Sequence, residues 1–223
     1  MNARDKTATL YEILLAWWNK GGSKPPPTPV QQVNTAAMPT VFNPLKFAVG
    51  GFVRIQAGGL DARTFSVENV EEYTRRIGTE KLVFTDYVFL DTDGKEETWA
   101  TVRVIPKTKG GYDCLLLSPR FESGYTDELA KALEGDTLKD DESEVIYRKL
   151  GQFKASVREI SADGTKRRDV EYWDFINEEE AQPRFYLVEM DLSDRKGWIQ
   201  TFLGTPIAIE DVAPISGHTS QAV

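Results

Sequence analysis

The sequence predicts a mostly β fold with minor α. Two small antiparallel β barrels or curved sheets are expected, bridged by a short helix and preceded by an N-terminal amphipathic helix. Three observations carry this. Residues 83–91, 98–105 and 112–117 are rich in β-branched and aromatic side chains, with polar turn clusters at 92–97 and 107–111 between them. The pattern returns at 153–160, 170–176, 184–190 and 198–203, so hairpins follow one another through two blocks. One stretch of the body, 125–135, carries clear helix signals. A single extended sandwich or barrel is the alternative arrangement of the same strands.

Taken in order, residues 7–19 read as a helix. Leu10, Ile13, Leu14, Trp17 and Trp18 recur at helical spacing and make one apolar stripe. Thr7 or Thr9 can cap its start, and Gly21-Gly22 ends it. Residues 21–40 form a linker, in which Pro25-Pro26-Pro27 favours an extended, semi-rigid chain. The first β lobe spans 41–135. Short strands are expected at 52–56 and 64–69, and 71–77 reads as a further strand, with a helical turn as the alternative. Thr126 caps the body helix, Asp127 and Glu128 suit its positive end, and Gly135 terminates it. The second lobe spans 142–215, and residues 216–223 form a tail.

The two blocks carry matches that suggest a degenerate tandem repeat. Phe65-Ser66-Val67-Glu68-Asn69-Val70 resembles Ala155-Ser156-Val157-Arg158-Glu159-Ile160, and residues 86–91 resemble 171–177 with one insertion. The alternation in 153–158 and its neighbours places Val102, Val104, Val157, Tyr172, Val188 and Phe202 in the core. Tyr172 lies opposite Trp173 and Phe175 on their strand, so both of its faces carry large rings. The expected use is one set in a barrel core and the other packed between the two lobes, with an exposed aromatic groove as the alternative.

Composition narrows the function. A net charge of −8 disfavours non-specific nucleic-acid binding, which needs a basic footprint. The charge is uneven. Residues 1–24 carry Arg4, Lys6, Lys20 and Lys24 against Asp5 and Glu12, a balance of +2 that leaves −10 for the rest. No apolar run approaches 18 residues, so no membrane-spanning helix is expected. Residues 10–18 include Glu12 and lead to Asn19-Lys20, so no secretory leader is expected either. The sole cysteine, Cys114, fits a reducing compartment and sits in an apolar strand as an inert thiol. A cytoplasmic setting follows, with peripheral membrane contact through the N-terminal helix as a further option.

No catalytic, cofactor-binding or metal-binding residue is assigned. The sole histidine, His218, stands in the tail, where nothing orients it as a base. Asp91-Thr92-Asp93-Gly94 places its glycine fourth and reads as a hairpin turn, not a calcium loop. Gly50-Gly51 and Gly58-Gly59 match no phosphate-binding pattern. The acidic runs Glu71-Glu72, Asp140-Asp141-Glu142 and Glu178-Glu179-Glu180 read as solvated faces.

Several segments are similar to an uncharacterised bacterial domain family associated with phage-shock-type membrane-stress gene clusters. They are residues 45–51, Phe65-Ser66-Val67, residues 85–91, Glu171-Tyr172-Trp173-Asp174-Phe175, residues 198–204 and Ile209-Glu210-Asp211-Val212. The resemblance covers about residues 45–212; the family's aromatic-Trp-Leu element has no clear counterpart after Asp91. The family has no established catalytic residues, so the resemblance implies none here. The expected function is a non-catalytic binding or scaffold role. Leu10, Ile13, Leu14, Trp17 and Trp18 would then dock on a protein partner, a second copy or a membrane surface, with packing back on the chain's own body as the further alternative. A carboxylate-dependent enzyme with its site in a groove between the lobes is the alternative.

Overall fold

The structure, a computed structural model, describes residues 44–215 apart from 61–62, 78–79, 93–96, 108–109, 141, 180–181 and 194–197. The N-terminal stripe from Leu10 to Trp18, the linker, the tail with His218 and the centre of the 91–97 turn lie outside the described residues. Among the described residues, eleven strands and one α-helix follow in order. They are β1 (Phe52–Ile55), β2 (Thr64–Ile77), β3 (Glu80–Asp91), β4 (Trp99–Pro106), β5 (Tyr112–Gly124), α1 (Asp127–Glu134), β6 (Thr137–Lys139), β7 (Ile146–Ser161), β8 (Gly164–Asn177), β9 (Arg184–Asp191), β10 (Trp198–Ile207) and β11 (Val212–Pro214). No helix among the described residues is long and apolar enough to cross a membrane.

The strands pair in the order β11-β1-β2-β3-β4-β5-β10-β9-β8-β7-β6, and β2 also pairs with β7. That last pairing closes β2, β3, β4, β5, β10, β9, β8 and β7 into one antiparallel eight-stranded barrel. The two blocks therefore do not close separately. Each supplies a four-stranded meander to a shared barrel, and the meanders meet first strand to first and last strand to last. The repeat-like segments fall on β2 and β7 and on β3 and β8, but the first lies near the start of β2 and its counterpart near the end of β7. β2 and β7 pair from Val70↔Ile160 to Arg75↔Ala155, so the first two segments meet only at Val70↔Ile160.

Bulges decide which side chains enter the barrel. The β2–β3 register shifts between Val67 and Asn69, where the sequence reading split one strand into two. Phe65, Val67 and Val70 all face outward because the extra residue reverses the alternation there. Glu71, Tyr73 and Arg75 consequently point inward. A second shift on β7, between Lys149 and Gly151, does the same. Tyr147 faces out before it, and Phe153, Ala155 and Val157 face in after it.

Three apolar clusters result. The barrel interior gathers residues such as Tyr73, Phe84, Leu115, Leu117, Tyr172 and Phe185. One outer face, with Tyr87, Phe89, Val102 and Val104, is covered by β1, β11 and Phe47. The other, with Trp173, Phe175 and Val188, is covered by α1. Tyr172 thus fills the barrel while Trp173 and Phe175 meet the helix. The helix is capped as its sequence demands: Leu129 N donates to Thr126 Oγ1 at 3.2 Å. The chain leaves it at Gly135 in an extended conformation, so no left-handed terminator is used. Lys149 Nζ, from β7, donates to the Leu133 carbonyl at the helix end.

Five of the six expected core residues are buried, while Phe202 is only partly buried against the interior cluster. The bulge beside it, between Gln200 and Phe202 in the β5–β10 ladder, accounts for the difference. Phe185→Ala, at a fully buried site, should therefore cost about 3–5 kcal/mol in urea melts. Phe202→Ala should cost clearly less; equal losses would contradict the assignment.

Candidate functional site

Two features stand apart from an ordinary apolar core. The first is a charged layer inside the barrel. Arg103 on β4 holds Asp86 on β3 with two bonds, Nε to Oδ1 at 2.9 Å and Nη2 to Oδ2 at 2.8 Å. Its Cζ lies 4.7 Å from the Phe84 ring centroid and 5.2 Å from that of Tyr73. Arg168 on β8 spans two other strands. Its Nη1 donates to Glu189 Oε1 on β9 at 2.6 Å, and its Nη2 to Glu71 Oε2 on β2 at 3.0 Å. Arg75 lies over the Phe153 ring, Cζ 3.1 Å from the centroid, and shares a hydrogen bond with Tyr172. Gly151 makes this possible, because a Cβ there would lie 2.2 Å from the Phe153 ring.

The layer holds four carboxyls (Glu71, Asp86, Asp174 and Glu189) against three guanidinium groups (Arg75, Arg103 and Arg168). One proton balances it, and the geometry indicates where it sits. Tyr73 Oη is 3.0 Å from Glu71 Oε2 and 2.8 Å from Glu189 Oε2. A phenol has one proton to donate, so the second contact needs a proton on a carboxyl. Burial pushes Glu71 up to about 7, with Glu189 and Asp86 adding to the rise and Arg168 opposing it. Burial also pushes Asp174 up to about 6 against the pull of Arg103 and Arg75, and its Oδ1 has no hydrogen-bond partner. The Tyr73 contact and the raised value together point to Glu71 as the carboxyl that carries the proton near neutrality.

The second feature is a groove of about 490 Å³ between α1 and the outer face of β9 and β10. Leu129, Ala132, Leu138 and Val188 give it an apolar floor. Tyr186 lines it too, its hydroxyl hydrogen-bonded to Thr201 and its acidity reduced by burial. The rim is acidic, with Glu128, Asp140 and Glu142 against Arg120 and Lys139. Arg120 Nη2 serves Asp140 and Glu142 together, at 3.2 and 2.8 Å, and Lys139 pairs with Glu144. Burial works against the charge of Asp140. Hydrogen bonds from Ser143 Oγ and the Glu142 backbone, together with Arg120, outweigh it and hold the group below the usual carboxylate range.

The docking residues Leu10, Ile13, Leu14, Trp17 and Trp18 lie outside the described residues, so the structure brings none of them to either feature. The acidic runs are corrected in part. Glu71 is inside the barrel, not on a solvated face, and Asp140 is buried by its own partners. Glu71, Arg168 and Glu189 were missed because each looks like a surface residue, and for Glu71 the β2 bulge also reverses the alternation. Cys114 is buried, and burial pushes its thiol up to about 12. Among the described residues no group of three or more His, Cys, Asp or Glu could hold a metal ion. No family model, curated protein or solved structure matches the chain.

The sign of the interior titration gives a test. A carboxyl whose value is raised in the fold stabilises it fully below the ordinary 4.5, and this contribution is lost as pH rises through about 7. Unfolding free energy from urea melts should therefore fall between pH 5 and 8. Glu71→Gln should flatten that slope and gain stability relative to wild type at pH 8. Asp140 does not mask the effect, since its contribution is lost only at more acid pH. A wild-type stability that rises over this range would contradict the proton placement.

Proposed function

We propose that the chain is a non-catalytic binding module of a reducing, cytoplasmic setting, with the α1 groove as its receptor site. The observation that carries the reading is the groove itself: an apolar floor with converging polar groups on a rigid barrel wall. Its preferred guest is an apolar helix face or side chain flanked by cations, because the acidic rim repels anions. The N-terminal stripe of Leu10, Ile13, Leu14, Trp17 and Trp18 is the chain's own docking element under this reading. Anionic membrane is a poorer match for that element, since it would repel a body carrying −10.

Carboxylate chemistry is the second reading, and the raised Glu71 and Asp174 favour it. Against it, Glu71 and Asp174 lie inside the barrel, Glu71 in an internal ion pair, away from the groove. No metal or nucleotide has a part in the binding reading. Titration with calcium, zinc, ATP or NAD should give no heat at micromolar concentrations, and a tight stoichiometric signal from any of them would overturn it.

The groove is tested with a synthetic amphipathic helix flanked by lysines, titrated into isotopically labelled full chain. Leu14→Asp and Trp17→Asp are introduced first to remove the chain's own stripe from competition. Shifts should concentrate at Leu129, Ala132, Val188 and Thr201, and a glutamate-flanked peptide should bind at least tenfold more weakly. Shifts on another face, or none, would count against the reading.

A further inference from the structure

We infer that the resident occupant of the α1 groove is the chain's own N-terminal segment, residues 7–24, bound in cis; this rests on the binding reading above. Charge is the first argument. Residues 127–144, a stretch that includes α1 and β6, carry Asp127, Glu128, Glu134, Asp136, Asp140, Asp141, Glu142 and Glu144 against Lys131 and Lys139. That is a net −6 within 18 residues, more than half of the −10 borne by the body. Residues 1–24 carry the opposite sign, with Lys20 and Lys24 just beyond the apolar stripe. An apolar stripe ending in cations meets an apolar floor with an acidic rim, and attraction of this kind sets orientation as well as encounter rate.

Shape and need make the second argument. A helix of about 12 residues is marginal alone in water and requires a surface to fold against. Five large apolar side chains on one stripe need an apolar partner, and the groove floor offers one that the barrel leaves open.

Reach is the third. The described chain resumes near Phe47, whose ring packs on Tyr87 and Phe89 of β3. Strands β3 and β9 stand four strand steps apart around the barrel, about 20 Å of sheet. Residues 20–43 extend to about 70 Å as a proline-rich chain, which spans that path over the covering layers. A tether of this length keeps the segment near its site at about millimolar effective concentration. A competing partner must therefore displace it, and the groove is self-occupied until one does.

The test uses the full chain. Ser23→Cys supplies a thiol for a nitroxide label, and Cys114 stays unlabelled because it is buried. Amide signals of Leu129, Ala132, Leu138 and Thr201 should broaden when label and isotope share one molecule. The broadening should weaken with added salt and vanish in the Leu14→Asp, Trp17→Asp variant. Broadening at another face, broadening only between differently labelled molecules, or no broadening would each overturn the proposal; the second would assign the segment to a neighbouring copy. The lysine-flanked peptide separates the two readings. It should bind the stripe-less variant at least tenfold more tightly than the wild type. Equal binding to both overturns self-occupancy while leaving the groove a receptor, and binding to neither removes both.

Discussion

Arg168 is the interaction on which the barrel most depends. It sits on β8, next to the seam where β7 meets β2, and reaches past that seam to Glu71 while holding Glu189 on its own side. Tyr73 completes the crossing by bonding Glu189 from β2, 116 residues away in sequence. The two meanders are thus joined from inside by side chains as well as by the backbone ladder outside. Both partners of Arg168 are buried, so removing it would leave carboxylates without a counter-charge, which costs several kcal/mol in such settings.

Such a layer is an expensive way to fill a barrel. Apolar side chains of the same volume would pack without the loss of hydration, and Asp174 keeps an unpaired oxygen even so. What the charges add is register. A slip of one residue on β2 would exchange Glu71, Tyr73 and Arg75 for Glu72, Thr74 and Arg76, losing the ring and every paired distance together. The aromatic rings around the guanidinium groups reduce the cost: Phe84 and Tyr73 beside Arg103, Phe153 beneath Arg75. The same economy leaves the outer walls apolar, so one can take the β1–β11 flap and the other the helix. The groove arises because α1, at eight residues, is too short to cover the second wall.

Much of the fold was legible. The alternation of Phe153, Ala155 and Val157 against Lys154, Ser156 and Arg158 named the inner face of β7, and Thr126 marked the helix start to within a residue. The hairpin joining 153–160 to 170–176 was readable from the spacing of the two segments, although the strands run much closer together than expected, with Ser161 paired to Gly164. Barrel closure was not readable, because the β2–β7 and β5–β10 pairings join residues far apart in sequence and leave no local signal. The interior charges were hidden by doublets. Glu71-Glu72, Arg75-Arg76 and Arg167-Arg168 place the same residue type on both faces, so a period of two cannot show which member points inward. The groove escaped notice for a related reason, since its acidic rim is also what a solvated loop looks like.

The central claim, that Arg168 secures the closing seam, is tested most directly by amide hydrogen exchange in Arg168→Met. The account predicts early loss of protection along Val70–Arg75 of β2 and its partners Ala155–Ile160 on β7. The β3–β4 ladder from Thr85 to Leu90 should stay protected at the same time points. Uniform loss across all strands, or a seam as protected as in the wild type, would contradict it.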